Sequence, residues 1–275
     1  MIQRSFLGRH LFLIPFTFIW VFPVIWMISS SLKTDMEFLT EPLKVIPDDL
    51  LFENYARAWE VSHFSVYFRN SAIVTVWAVL IAVTFASLAG YALSRVNFTG
   101  KKALIVIFGA ALFIPKGYII VPLYQVIRGL GLLNTFPGLV VAMATTSTNV
   151  LFVLLFMAHF NGIPRELEES AELDGASFGR TFVSVMLPLA KPMIATSIVM
   201  RFMWTWNEFF IPLVLTLHRT ELRTLTVGMY AFLGEYDTDW TGLSAAATIS
   251  VVPVIVLFIC LQGFFIRGIA GAIKQ

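Results

Sequence analysis

Three charged side chains lie inside long apolar runs of the sequence, and they are the first candidates for chemistry: Lys116, Arg201 and Glu208. A charge is costly in hydrocarbon, so each should face a protein interior, water or a partner chain. Arg201 and Glu208 are two helical turns apart, which would place them about 10 Å apart along one face of a continuous helix. That distance excludes a direct ion pair, and Arg201 could instead extend to the membrane surface.

The residues around Glu208 combine aromatic surface with hydrogen-bonding groups, the mixture from which binding pockets for small polar solutes such as sugars are built. Polar contacts between membrane helices of two subunits would use the same residue types. A solute pathway and a subunit contact therefore both remain open here. The candidate pathway residues are Trp204, Trp206, Asn207 and Glu208, with Asn149 on a neighbouring apolar run.

Enzymatic chemistry has no recognisable motif in this sequence. Residues 99–102 read Thr-Gly-Lys-Lys, but Arg95 stands where a phosphate-binding loop needs its first glycine. Cys260 is the single cysteine, and the four histidines are scattered without the spacing of a hydrolase or a zinc site. We expect no catalytic residue, no metal site and no cofactor bound by this chain.

The composition is that of an integral membrane protein. Hydrophobic residues make up 58% of the chain and charged residues 13%, and the mean hydropathy is +0.81. The charged fraction is about half that of ordinary soluble proteins. The net charge of +2 is too small and too dispersed to indicate binding to nucleic acid.

Six apolar runs are long enough, at about 20 residues each, to cross a bilayer. They predict an all-α membrane protein with one transmembrane domain over residues 1–275. Prolines within or beside several runs predict kinks. The expected spans are residues 11–31, 71–94, 103–124, 138–160, 193–217 and 243–266.

Basic residues fix the expected orientation of the spans. Arg95, Lys101 and Lys102 lie in one short connection, and further arginines and lysines flank the outermost spans. Cytoplasmic loops carry such an excess. Both termini and the connection at residues 161–192 are therefore expected in the cytoplasm of a multi-pass protein of the cell (inner) membrane.

That connection contains the most polar stretch of the sequence, residues 165–180. Pro164 and three following glutamates favour a helix start, and Gly175 favours a stop, with a second short helix over residues 176–185. Only Arg165 is spaced to pair with Glu168 or Glu169, so negative charge is left over. The pattern fits a solvated loop helix, and it also fits a helix that docks in a basic groove of another protein.

The same stretch resembles the EAA motif of permease subunits in ATP-binding-cassette importers. The motif's three-residue core is Glu169-Ser170-Ala171, with serine at the middle position, followed by a glycine at the characteristic spacing and then a hydrophobic-proline pair. The resemblance implies the type I importer fold, with a cytoplasmic coupling loop between spans 4 and 5. The residues expected to couple to the ATPase are Glu168, Glu169, Ser170, Ala171, Asp174, Gly175, Ala176, Leu187 and Pro188.

The second half of the chain also resembles maltose-type carbohydrate permeases, and the smaller subunit of such pairs in particular. The matching features are Trp206-Asn207-Glu208-Phe209, residues 224–229 and residues 268–272. The resemblance implies a second homologous permease, two copies of an ATPase that carries ATP and Mg²⁺, and an extracytoplasmic solute-binding protein. A loop contacting that protein is expected at Gly234, Glu235, Tyr236 and Asp237.

Two other classes of function also fit the sequence. A secondary transporter driven by an ion gradient also builds sites from broken helices, and it would use Glu208 as its ion carrier. A structural or insertase-like membrane subunit would need no solute.

Overall fold

The computed structural model describes residues 2–61, 63–146, 148–234 and 238–272. Within these ranges the chain is helical, and an isolated antiparallel bridge between Leu233 and Thr238 is the only strand-like pairing. The prediction of an all-α protein is therefore confirmed. Two compact units divide the chain: Met1–Phe68 with Val227–Val252, and Arg69–Thr226 with Pro253–Gln275.

The helices vary widely in length. In the first third of the chain they are α1 (Ile2–Ser30), α2 (Asp35–Thr40), α3 (Glu53–Val61) and α4 (Phe64–Arg95). Then come α5 (Lys101–Ala111), α6 (Lys116–Gly129), α7 (Phe136–Ala144), α8 (Thr148–Asn161), α9 (Glu166–Leu173), α10 (Phe178–Thr181) and α11 (Leu187–Leu189). The last are α12 (Lys191–Trp206), α13 (Phe210–Leu215), α14 (Leu225–Gly228) and α15 (Trp240–Ala272).

Three described stretches are helical, long and apolar enough to cross a membrane without a break: Leu13–Ser30, Phe64–Arg95 and Trp240–Gly263. They coincide with the first, second and sixth predicted spans. Two further pairs of helices pass the same test only when joined across a bend, of 49° between α7 and α8 and of 77° between Phe178–Leu189 and α12. The predicted single helix at residues 138–160 is therefore broken at the first of these bends. The one predicted at residues 193–217 is broken elsewhere, between the end of α12 at Trp206 and the start of α13 at Phe210.

Proline explains one break and is accommodated elsewhere. The predicted span at residues 103–124 divides into α5 and α6, and Pro115 is the N-cap of α6. The residue before a proline avoids the helical conformation, so the chain leaves the helix there. Pro15, Pro23 and Pro253 lie inside helices that continue past them.

The core of the second unit is organised around α4. One cluster of buried apolar side chains joins α4 to α8 and to the segment after α10, and it includes Tyr91, Phe156 and Phe182. The close approach of α4 to α8 depends on Gly90, because a Cβ there would lie 2.5 Å from the Phe156 Cβ. A second cluster joins α4 to α6, α7 and α13.

The first unit is held by polar contacts near the end of α1. The Asn54 amide donates to the carbonyls of Ser31 and Lys33 at 3.0 and 2.8 Å. Lys44 lies close to the carboxylates of three acids, Glu37, Glu41 and Asp48. Its hydrogen bond to Asp48, together with the one to Glu41, raises the pKa of Lys44. These contacts order the connection between α1 and α4.

Candidate functional site

The predicted polar stretch forms a helix and a turn. Helix α9 begins after Arg165 and ends at Leu173, and Gly175 then takes a φ of +82°. The Gly175 N–H donates to the Glu172 carbonyl and the Ala176 N–H donates to the Ala171 carbonyl, both at 2.9 Å. These two bonds satisfy carbonyls at the helix end, as left-handed glycine caps do. The predicted stop at Gly175 is confirmed.

The second helix of this segment begins later and extends further than predicted. Ser177 is the N-cap of α10, and its hydroxyl accepts from the Arg180 N–H. The chain then widens into a π-helical turn, Phe182–Met186, in which the Leu187 N–H donates to the Phe182 carbonyl. Pro188 follows, and its missing N–H removes the next regular helical bond. The predicted helix over residues 176–185 therefore starts at Phe178 and, through the π-helical turn, extends to Leu189.

Glu168 joins α9 to the end of α4 through an ion pair with Arg95. Its Oε1 lies 2.5 Å from the Arg95 Nε, and the two side chains are only 12% and 7% exposed. A second nitrogen of Arg95 donates to the Ile163 carbonyl at 2.9 Å. The sequence offered Arg165 as the only neighbouring cation, and Arg95 was missed because it is distant in the chain.

The other acids of α9 are exposed, in contrast to Glu168. Glu169, Ser170 and Glu172 are exposed, and so is Leu173. The Ser170 hydroxyl donates to the Glu166 carbonyl of its own helix at 2.8 Å. Because its hydroxyl donates within its own helix, Ser170 offers a partner chain mainly a small side chain. Asp174, Gly175 and Pro188 are also exposed, whereas Ala171, Ala176 and Leu187 are half-buried.

Arg201 and Glu208 do not share a helix face, and that prediction is wrong. Helix α12 ends at Trp206, so Glu208 lies in the turn before α13. There its Oε1 accepts from the Phe210 N–H at 3.2 Å. Its carbonyl accepts from the Thr226 hydroxyl at 2.7 Å.

Arg201 does not extend to a surface, because only 1% of the residue is exposed. Its guanidinium donates to the Met143 carbonyl at 2.7 Å and to the Thr146 hydroxyl at 3.3 Å. Met143 lies in the last turn of α7, where carbonyls lose their helical partners and a cation is favourable. Arg201 therefore satisfies the broken end of α7.

A cavity of about 280 Å³ lies beside these two charges. Apolar side chains dominate its lining, and the polar groups come from Thr146, Arg201, Thr205 and Glu208, with the Trp204 ring next to them. The full lining is Gly117, Ile119, Ile120, Leu123, Met143, Thr146, Arg201, Trp204, Thr205, Glu208, Phe210 and Ile211. A mainly apolar cavity with a few convergent polar groups can accept a small polar ligand with apolar faces.

Only two of the five predicted pathway residues line this cavity, Trp204 and Glu208. Trp206 is 3% exposed and stacks on Phe202 at 5.4 Å between ring centroids. The exposed Asn207 donates to the Met203 carbonyl at 2.8 Å. The Asn149 side-chain oxygen is buried without a hydrogen-bond partner in the part of the chain that the structure describes.

The predicted contact loop lies largely outside the described residues, which include Gly234 but not Glu235, Tyr236 or Asp237. Its base is described. Leu233 and Thr238 form the antiparallel bridge, and the Asp239 carboxylate lies 2.9 Å from an Arg57 nitrogen. The same carboxylate accepts from the Gly242 N–H at the start of α15.

The described part of the chain is helical and combines long apolar helices, broken spans and a polar helix–turn segment, an architecture that fits a membrane transport permease. Residues 82–271 match the family described as "Binding-protein-dependent transport system inner membrane component". The chain belongs to this family, whose members are transport permeases and not enzymes.

Named relatives resemble the chain over almost its whole length. It is 35% identical over 268 residues to the "Diacetylchitobiose uptake system permease protein NgcG" of Streptomyces coelicolor, covering 97% of this chain and 86% of that protein. It is 34% identical over 261 residues to the "Trehalose/maltose transport system permease protein MalG" of Thermococcus litoralis, covering 92% and 91%.

A solved structure has the same fold. The crystal structure of a bacterial ABC transporter involved in the import of the acidic polysaccharide alginate contains a chain that matches with a TM-score of 0.82 at 24% identity. The match covers 96% of this chain and 97% of that chain.

Proposed function

We propose that this chain is a permease subunit of an ATP-driven, binding-protein-dependent importer of a sugar or an oligosaccharide. The observation that carries the proposal is helix α9, which is clasped to the end of α4 by Glu168 and exposes Glu169 and Glu172. An exposed acidic helix that is joined to α4 by a sheltered ion pair is suited to transmit movement from a partner. Family membership and the relatives' names support a sugar as the solute.

The proposed topology has six spans, with both termini in the cytoplasm and residues 1–275 forming one transmembrane domain. In this arrangement α5 with α6, α7 with α8, and α12 with α13 each form a broken span. The basic residues of the connection between α4 and α5 support the orientation, because α4 ends at Arg95 and α5 begins with Lys101 and Lys102. Residues 161–192 then face the cytoplasm as a coupling loop.

The proposed assembly contains four kinds of chain. A second, homologous permease completes the pathway, and two copies of an ABC ATPase bind ATP and Mg²⁺ and dock on α9. An extracytoplasmic solute-binding protein delivers the sugar, and the loop at residues 234–237 contacts it. The family's description supports the dependence on a binding protein.

Transport would proceed by alternating access. Closure of the ATPase pair displaces α9, and the displacement reaches the spans through the turn at Asp174 and Gly175 and through the segment ending at Leu187 and Pro188. The small residues Ser170, Ala171 and Ala176 allow the ATPase backbone to approach closely. Broken helices suit such movements, because their ends can shift without unfolding a whole span.

The cavity beside Trp204 and Glu208 is the proposed contact between this chain and the solute. The indole ring offers a flat apolar face for a sugar ring, and the carboxylate accepts from its hydroxyls. Trp206, Asn207 and Asn149 would then support the shape of the pathway from behind or beside the cavity. The ion-driven alternative, with Glu208 as carrier, is not favoured by the family or by its relatives.

The test is purification of the tagged chain from its native membrane in mild detergent, with identification of the proteins that accompany it. Recovery of a second permease, an ATPase and a solute-binding protein supports the proposal. ATPase activity should also rise when the binding protein is loaded with its sugar. Recovery of the chain alone, without ATPase activity, would refute it.

A variant of the docking helix sharpens this experiment. Glu169→Lys reverses an exposed charge on α9 and should release the ATPase while the second permease remains bound. Glu60→Lys makes the same charge change on the exposed face of α3, and it serves as the matched control. Equal recovery of the ATPase with both variants would remove α9 as the docking element.

A further inference from the structure

Two residues on one face of α4 contact the coupling loop, one of them at α9 and just before it, the other just after it. Arg95 contacts Glu168 within α9 and the Ile163 carbonyl in the turn before it. The Tyr91 ring stacks on Phe178 just after α9, at 4.7 Å between ring centroids. Residues four apart share a helix face, so Tyr91 and Arg95 form one continuous clasp.

The ion pair in this clasp is sheltered from solvent. The Arg95 and Glu168 side chains are 7% and 12% exposed, whereas Glu169 and Glu172 on the same helix are exposed. Removing one partner of a buried pair leaves an uncompensated charge, which is far more costly than losing a surface pair. Glu168 is thereby distinguished from the acids that remain free to meet a partner.

The contact uses the shape of the guanidinium as well as its charge. The Nε donates to the Glu168 carboxylate at 2.5 Å, and a terminal nitrogen donates to the Ile163 carbonyl at 2.9 Å. Lysine carries the same charge on a single nitrogen and lacks this planar fork. Arginine therefore fixes the orientation of α9, whereas lysine would hold it by charge alone.

The aromatic side of the clasp is equally well packed. Tyr91 lies 5.0 Å from the Phe182 ring and 5.5 Å from the Phe160 ring, in addition to the stacking on Phe178. Its hydroxyl lies 3.5 Å from the second oxygen of Glu168. The end of α4, the end of α8 and the π-helical turn thus meet around one ring.

From these contacts we infer that Tyr91 and Arg95 are positioning residues that carry the displacement of α9 directly into α4. The inference rests on the proposed function, in which α9 is the element moved by the ATPase. The covalent chain connects α9 only to α8 and, through α10, to α12. The contacts of Tyr91 and Arg95 add a second route, which leads from α9 to α4. The second span therefore moves with the coupling helix.

The experiment uses the complete complex reconstituted in proteoliposomes, with sugar uptake and ATP hydrolysis measured on the same sample. Wild-type uptake that depends on ATP is established first, and its absence would refute the proposed function independently of the clasp. Arg95→Ala and the isosteric Glu168→Gln are then compared with Lys102→Ala. Lys102 is an exposed cation near the start of α5 and serves as the control.

We expect the sugar transported per ATP hydrolysed to fall by about fivefold or more in both clasp variants, the effect of a lost coupling interaction. ATP hydrolysis itself should persist, and Lys102→Ala should match the wild type. Arg95→Lys should lie between the wild type and Arg95→Ala. A merely structural role would lower the amount of assembled complex and leave this ratio unchanged, and that result would overturn the inference.

Exchanging the two charges of the ion pair tests the inference if a single variant does not assemble. The double variant Arg95→Glu with Glu168→Arg restores opposite charges across the contact. A ratio above that of the assembled Glu168→Gln variant supports the pairing, and a ratio no better than that variant contradicts it. Tyr91→Phe, which keeps the ring and removes the hydroxyl, should retain most of the coupling, whereas Tyr91→Leu should not.

Discussion

The guanidinium of Arg201 donates a hydrogen bond of 2.7 Å to the main-chain carbonyl of Met143, at the broken end of α7. The Arg201 carbon Cζ also lies 5.9 Å from the centre of the Phe152 ring in α8. One side chain from α12 therefore contacts both helices that meet at the bend. The bend of 49° is supported by a specific partner from a third helix.

Replacing Arg201 should destabilise the protein through this bend. Arg201→Ala removes a hydrogen bond to a buried carbonyl, and the loss should be about 1–3 kcal/mol of unfolding free energy. The measurement is thermal unfolding of the purified chain in detergent. Arg128→Ala removes an exposed arginine from α6 and should change stability by less than about 0.5 kcal/mol. Equal effects of the two variants would show that Arg201 does not support the break.

The close approach of α4 and α8 gives a second prediction. A Cβ at Gly90 would lie 2.5 Å from the Phe156 Cβ and 2.8 Å from the Met157 backbone nitrogen. Gly90→Ala should therefore cost about 1–3 kcal/mol through overpacking. At Gly109 a Cβ meets nothing within 4 Å, so Gly109→Ala should be neutral or stabilise helix α5 by about 0.5–1 kcal/mol. A thermal shift of the same sign and size in both variants would contradict the packing argument.

The turn after α9 gives a prediction about coupling. Gly175 has a φ of +82°, so Gly175→Val should strain the turn by roughly 1–2 kcal/mol and loosen the connection between α9 and α10. Transport per ATP hydrolysed should fall while membrane insertion remains normal. Gly175→Asn should be tolerated better, because asparagine enters the left-handed region more readily.

Gly179→Ala is the control for this turn. A Cβ at Gly179 meets nothing within 4 Å, and its backbone has no positive φ. If Gly175→Val transported at the wild-type rate in a normally assembled complex, the turn would not be part of the coupling path.

The cavity gives a prediction about the solute. Trp204→Ala should reduce sugar uptake by about threefold to tenfold, the loss expected from one aromatic stacking contact. Glu208→Gln keeps the size of the side chain and removes its charge, and it should also reduce uptake. Met203→Ala, on the exposed side of α12, is the matched control. Full uptake by both cavity variants would place the solute elsewhere.

Local features of the sequence allowed accurate predictions where the physics is local. The stop of α9 follows from Gly175 and its neighbours, and the long apolar helices α1, α4 and α15 follow from composition and length. A glycine cap depends on a few adjacent residues. A membrane-spanning helix depends on an apolar run of sufficient length.

Contacts between distant residues could not be predicted in the same way. Arg95 and Glu168 are 73 residues apart, and nothing in either neighbourhood specifies the other. The bend between α7 and α8 has no proline or glycine, and its local signal is the run of small polar residues at 145–149. Such a run favours a loop, but inside a long apolar stretch it does not specify a bend. The sequence left Arg201 open between a protein interior and the membrane surface, because its partners on α7 and in the turn after it are distant in the chain.

The most direct measurement of the central claim is uptake of labelled sugar into proteoliposomes that contain the complete complex, with the loaded binding protein outside. One sample contains internal ATP and Mg²⁺, and the other has no ATP but an imposed proton or sodium gradient. The importer should take up sugar only in the sample with ATP. Uptake driven by the gradient without ATP, and abolished by Glu208→Gln, would contradict it and identify an ion-coupled transporter.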